Sequence, residues 1–259
     1  MANYHLETKI ISRGKGHSFA RSVNYISGIQ LRDIYLGVTF YRKRSDVIWS
    51  NTFLPNKAPS NFQDVQVLCN AIENAERRYD ARTAREFIGS LPNELPSSEQ
   101  VKIVSEFIDQ NFVQQGLCVV VAIHEGKNKT DPSKNNPHAH ILVSTRVIGP
   151  DGFSKQKDRE HNKKKYIGIW REQWAEIQNR AYERNGLDIR VSHESLEVQG
   201  TCCNREPTIH LSRIDWQKEQ RGERTFFGNK KREIQARNEQ RSHQLELERE
   251  YALEMDLSR

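Results

Sequence analysis

Three of the nine histidines in this 259-residue chain are spaced for metal chemistry. His138 and His140 form an H-x-H pair, and His124 follows the apolar run Leu117–Ile123. Side chains alternate across a strand, so H-x-H puts both imidazoles on one face, roughly 7 Å apart by strand rise. If 117–124 and 138–146 pair antiparallel, His124 lies beside the start of the second strand. Three imidazoles converging on a rigid sheet form a divalent-metal site with coordination positions left open, as catalytic metal sites require. Imidazole suits several transition metals, and H-x-H strands also occur in zinc hydrolases and cupin-type sites. The spacing therefore gives a metal before it gives a reaction. Taken singly, each histidine reads first as a satisfied core or surface residue.

Tyr25, in Asn24-Tyr-Ile-Ser-Gly28, is the second feature. A phenol has a pKa of about 10 and is a poor nucleophile unless a base or a cationic surrounding helps it ionise. Residues 1–60 supply that surrounding, with nine Lys or Arg against three Asp or Glu. This segment carries the whole excess behind the net charge of +6, which on charge alone reads either as a surface for a polyanionic partner or as an ordinary basic pI. On its own, Tyr25 reads as a packing residue.

The elements that must position these groups follow from periodicity and punctuation. Residues 3–12 alternate as a strand, and Ser18 caps a helix from about Phe19 to Ser27 closed by Gly28. Residues 34–40 and 46–53 read as a hairpin with a cationic tip, Tyr41–Ser45. From Ser60 or Asn61 the spacing predicts a long helical segment reaching Phe87, with a break near Asp80. A second helix runs from Ser98 to Gly116. The run 117–123 suggests a strand buried on both faces, 125–137 a polar loop and 138–146 another strand. A helix covers 166–185 and a short strand 187–192. From Asp215 the chain is charged and helix-prone, which divides it into a domain over 1–214 and an extension over 215–259.

No run approaches the ~18 consecutive apolar residues of a membrane span, and residues 2–16 lack the continuous apolar stretch of a secretory signal. Cys69, Cys118, Cys202 and Cys203 fit neither a metal spacing nor a disulfide framework, so a reduced, cytoplasmic setting is expected.

Five ordered motifs resemble the MobA/MobL type of plasmid mobilisation relaxase. They are YHLETKIISRGKG near the N-terminus, YISGIQLRD from Tyr25, AERRYDARTARE (75–86), NPHAHILVSTR (136–146) and REPTIHLS (205–212). The resemblance implies an α/β fold of the rolling-circle nuclease superfamily, with a central, mainly antiparallel sheet and packed helices. It implies Tyr25 as nucleophile and His124, His138 and His140 as metal ligands, with Mn or Mg as the expected ion and Ni, Zn or Co as alternatives. Glu86 is the carboxylate expected to act as base or to orient a ligand, with Glu76 the alternative. The substrate implied is single-stranded DNA at a plasmid origin of transfer, nicked through a 5′-phosphotyrosine. An origin hairpin, accessory mobilisation proteins and a coupling protein are the further partners.

Arg13, Lys15, Arg21, Lys43, Arg44, Lys127, Lys129 and Lys134 are candidate phosphate contacts. Tyr35, Tyr41, Trp49 and Phe153 are candidate stacking platforms. A rolling-circle replication initiator would use the same chemistry. A non-cutting accessory protein or repressor, and a metallohydrolase of small substrates, are the other readings. The loop 125–137 is longer than the family's compact form, and Leu211-Ser212 stands where a glycine often follows.

Overall fold

The computed structural model describes residues 4–128, 131–132, 135–199 and 205–257, with side chains left out at 213, 246 and 249–257. The chain divides into two compact units, Met1–His193 and Glu194–Arg259.

The first unit is built on a five-stranded sheet in the order β1 (Leu6–Ser12), β5 (Arg82–Ser90), β7 (His138–Ser144), β6 (Val119–His124), β4 (Val47–Phe53). Every neighbouring pair is antiparallel. Alternation assigns the two faces. Phe87, Val119, Val121, Ile123, Ala139, Ile141 and Val143 meet α3 (Ser97–Ile108) and α4 (Lys165–Arg184), chiefly through Phe107, Trp170 and Trp174. Ala84, Val120, Ala122 and Leu142 meet α1 (Phe19–Ser27) and α2 (Val65–Asn74) on the other face. The result is three layers, helix on sheet on helix, each core closing over one face of the same strands.

The expected strand pairing of 117–124 with 138–146 is present, with His124 opposite His138 and Ala122 opposite His140. The helix expected to run to Phe87 ends at Asn74, and residues 82–90 form β5 in the sheet interior. Ala, Arg and Glu in RTAREFIGS favour a helix only weakly, and burial between β1 and β7 overrides that preference. β5 is buried on both faces, so it never shows the alternation of a half-exposed strand.

The expected hairpin of 34–40 with 46–53 is also replaced. β3 (Val38–Phe40) pairs with β2 (Leu31–Asp33), and β4 pairs with β6. The Asp33 carboxylate accepts the backbone N–H of Tyr35 and Leu36, which builds the tight turn between β2 and β3. Residues 187–192 are irregular rather than a strand, with Val191 bonded to the Asn179 side chain.

The second unit carries α5 (Arg213–Gln220) and α6 (Phe226–Leu257). Glu219 joins them by accepting from Thr225 and pairing with Arg232. No helix among the described residues is long and apolar enough to cross a membrane.

Candidate metal centre and nucleophile pocket

The pocket forms where the C-terminus of α1 crosses the sheet. Ser18 caps α1 by accepting the Arg21 N–H, and Phe19, Val23 and Ile26 bury completely on the sheet. Each such side chain contributes roughly 1.5–3 kcal/mol. With that face buried, Tyr25 points outward at 43% exposure. Gly28 ends the helix at φ 75°, and a Cβ there would lie 3.2 Å from Arg44 Cβ. Only glycine combines that left-handed turn with so close an approach.

His124, His138 and His140 face the α1 side of β6 and β7. Their ring centroids are 4.6–5.2 Å apart, and one nitrogen from each lies within 4.8 Å of the other two. The second nitrogen of every ring is engaged: His124 Nε2 with Ile26 O at 2.7 Å, His138 Nδ1 with Asn136 O at 2.8 Å, and His140 Nδ1 with Glu86 Oε1 at 2.8 Å. Each partner fixes a tautomer and turns the remaining nitrogen inward, as ligand imidazoles require, and the inward nitrogen of His124, Nδ1, also has Arg44 Nη2 3.4 Å away. The donor set thus fits a divalent transition metal with positions to spare. It fits Mg, which prefers oxygen, poorly.

Burial pushes the His124 imidazole down to about 4 and also lowers His138, so both are neutral and ready to ligate near pH 7. Burial raises the Glu86 carboxyl, but the hydrogen bond to His140 and the Lys9 ammonium, 3.1 Å away, outweigh it and leave it below the usual range.

The Tyr25 ring meets His140 edge-on, with centroids 6.3 Å apart. The Arg42 and Arg44 guanidinium groups lie over the Tyr25 ring at 4.6 and 5.3 Å. The segment that follows His124 is pinched at its base. The Asn136 N–H donates to Gly126 O at 2.9 Å, and a Cβ on Gly126 would fall 2.0 Å from Asn136 O, the acceptor of His138.

The other expected residues scatter. Arg13 is 7% exposed, with donors committed to the Glu73 carboxylate and to the carbonyls of Glu73, Glu76 and Arg78. Lys15, Arg21 and Lys43 are exposed, and Lys127 pairs with Glu125 at 2.9 Å. Lys129 and Lys134 lie outside the described residues. Tyr35 lies under the Arg13 guanidinium and is half-exposed, Tyr41 is exposed, Trp49 packs on Phe53, and Phe153 stacks on Phe62. Glu76 is far along the sheet from the histidines, pairing with Arg146 and Lys157.

Glu76 sits in a second feature that the sequence reading missed, a cleft of about 780 Å³. Seven cations line it (Arg77, Arg78, Arg82, Arg146, Lys155, Lys157, Arg159) against Glu76 and Asp80. The signal was the run of basic residues at 77–82, hidden by its assignment to a helix. Arg146 lies six residues along the chain from His140, so the cleft is ~20 Å from the histidines by strand rise.

A sequence profile described as MobA/MobL family matches residues 17–221. A probable mobilization protein MobA of Bifidobacterium longum is 30% identical over 81% of this chain and 43% of its own length. The mobilization protein MobL of Acidithiobacillus ferridurans is 29% identical over 82% of this chain and 62% of its own. The chain thus spans less than two thirds of either relative. A solved structure from a study of the molecular basis of vancomycin resistance transfer in Staphylococcus aureus superposes with a TM-score of 0.67. It is 28% identical, and the match covers 75% of this chain and all of that one.

Proposed function

The chain belongs to the MobA/MobL family, and from that membership and the pocket we propose that it nicks one DNA strand at a plasmid origin of transfer and holds the cut end covalently for mobilisation. The observation that carries this reading is the convergence of Tyr25 with three imidazoles in one pocket, its ring 6.3 Å from that of His140.

Tyr25 Oη attacks the phosphorus of one phosphodiester, the P–O3′ bond breaks, and the 5′-phosphate stays on the tyrosine. The phenol proton passes to solvent at this half-exposed side chain, and the departing 3′ oxygen takes one up. A free 3′-hydroxyl reverses the step, because the phosphotyrosine ester conserves the bond. His124, His138 and His140 would hold a divalent transition metal, which when bound supplies a Lewis acid for the charge on the phosphate's non-bridging oxygens. Glu86 acts behind His140 as its orienter, its oxygens taken up by His140 and Lys9. Exposed Arg42 and Lys43 screen phosphates entering the pocket. The cleft around Arg82, Lys155 and Arg159 takes the backbone of the same DNA, ~20 Å away, a span of about six nucleotides of a B-form strand. The origin hairpin next to the nick is the DNA we assign to that cleft, on the charge of its lining, and the bacterial cytoplasm is where such DNA resides.

The test is covalent capture. Incubated with a labelled origin oligonucleotide and Mn²⁺, the protein gives an adduct that survives denaturing gels, and Tyr25→Phe abolishes the adduct while still binding DNA. A Tyr25→Phe protein that cleaves like the parent overturns the covalent mechanism. A parent that binds but never cuts with any metal leaves the accessory-protein reading.

A further inference from the structure

We propose that Arg44, held by Asp46, is a positioning residue that fixes the Tyr25 end of α1 to the metal pocket, and that it does not contact DNA phosphate. The inference rests on the nicking function proposed above and deepens it by assigning how the nucleophile is aimed.

A helix ends with carbonyls that have no partner inside it. In α1 two consecutive ones are satisfied from outside. Arg44 Nη1 donates to Tyr25 O at 2.7 Å, and His124 Nε2 donates to Ile26 O at 2.7 Å. The same guanidinium reaches across, with Nη2 3.4 Å from His124 Nδ1. One planar group therefore touches both the nucleophile's backbone and a ring of the histidine cluster.

Its own orientation is set on the far side. Arg44 Nε donates to Asp46 Oδ1 at 2.8 Å, and Nη2 pairs with Oδ2, a two-pronged contact that an ammonium cannot reproduce. Arg44 holds Asp46 down at about 2, so the pair is ionised throughout the working pH range. The Arg44 side chain is only 14% exposed, whereas that of Asp46 is 44% exposed. A side chain meant for phosphate would show the reverse. Gly28 admits this packing, since a Cβ there would also lie 3.3 Å from the Arg42 carbonyl and the Arg44 nitrogen.

The two roles predict opposite results. As a positioning residue, Arg44→Lys and Asp46→Asn each lower the single-turnover nicking rate at saturating DNA ten- to a hundredfold, because a misplacement near 1 Å costs about that much. KM for the oligonucleotide stays within twofold, and Arg44→Gln leaves the salt dependence of binding unchanged. Amide exchange at residues 26–29 quickens in Arg44→Lys and Asp46→Asn, a readout taken without DNA or metal. As a phosphate contact, Arg44→Gln would instead reduce the salt slope by about one. Asp46→Asn, by freeing the guanidinium, would tighten DNA binding with the rate intact. Either of those results, or parental exchange at 26–29 in both variants, overturns the proposal. A parent that forms no adduct sinks the nicking reading alone, since the exchange measurement still decides the positioning role.

Discussion

Glu86 and His140 meet across two neighbouring strands, Oε1 to Nδ1 at 2.8 Å, in a layer where both side chains are under 10% exposed. The pairing is diagonal, since Glu86 is directly opposite Leu142 and Ile88 opposite His140. It holds the imidazole with its other nitrogen turned toward His124 and His138. Glu86→Ala is expected to weaken Mn²⁺ or Co²⁺ binding ten- to a hundredfold in calorimetric titration, the usual loss for such an outer partner. Glu86→Gln, which keeps an accepting oxygen, should lose less.

Arg13 and Glu73 form a pair at 3% and 1% side-chain exposure, and Glu73 Oε1 also accepts the Phe19 N–H at the start of α1. Removing one partner strands a buried charge. Arg13→Ala is predicted to lower stability by about 3–5 kcal/mol in urea denaturation. The salt slope of DNA binding, measured where the variant is folded, should stay at the parent's value. A fall in the slope by one would instead assign Arg13 to phosphate.

His124 carries a pH signature of its own. Its imidazole sits at about 4 in the folded chain, chiefly through burial, against an ordinary value near 6.5 when unfolded. The unfolded state therefore binds more protons between those values, so stability is full above about 6.5 and declines as pH falls toward 4. Urea midpoints from pH 7.5 to 4.5 should show this slope, and His124→Asn should reduce it, with His138, also lowered by burial, supplying the remainder. Asp46, lowered to about 2 by its hydrogen bond to Arg44, acts in the same direction only below about 3.8, a separate window.

The basic cleft gives a binding prediction that leaves the pocket untouched. Arg82, Lys155 and Arg159 carry no ion pair among the described residues. Replacing any one with Gln should reduce the salt slope of origin binding by about one and leave the nicking rate at saturating DNA unchanged. Fluorescence anisotropy between 50 and 200 mM salt measures it.

Gly28→Ala forces a Cβ into a position at φ 75° that also approaches Arg44 at 3.2 Å. A loss of more than about 1 kcal/mol is expected, read as a lower melting temperature.

Much of this pocket was legible in the sequence because its spacing is local. H-x-H on a strand and an apolar run ending in histidine fix three imidazoles through alternation alone, and Ser18 and Gly28 bracket the tyrosine helix with standard caps. The sheet interior was harder. β5 has helix-prone residues and two covered faces, so nothing in its own pattern distinguishes it from the end of α2. The fate of each cation was harder still. Arg13 and Arg44 were grouped with Lys15 and Lys43 by charge, yet the first two are held by Glu73 and Asp46. Those partners are 60 residues and two residues away in the chain, and only the second distance is one that local inspection reaches.

The pinch between Gly126 and Asn136 separates what must be kept from what is free to change. The Asn136 carbonyl turns His138, its N–H closes on Gly126, and just outside it Asn128 N–H donates to Asn135 Oδ1 at 2.8 Å. A stretch of any length or composition inserted beyond that second rung leaves both rungs, and the imidazole they serve, where they are. An engineer can therefore graft a reader of different bases beyond that rung without touching the ion site.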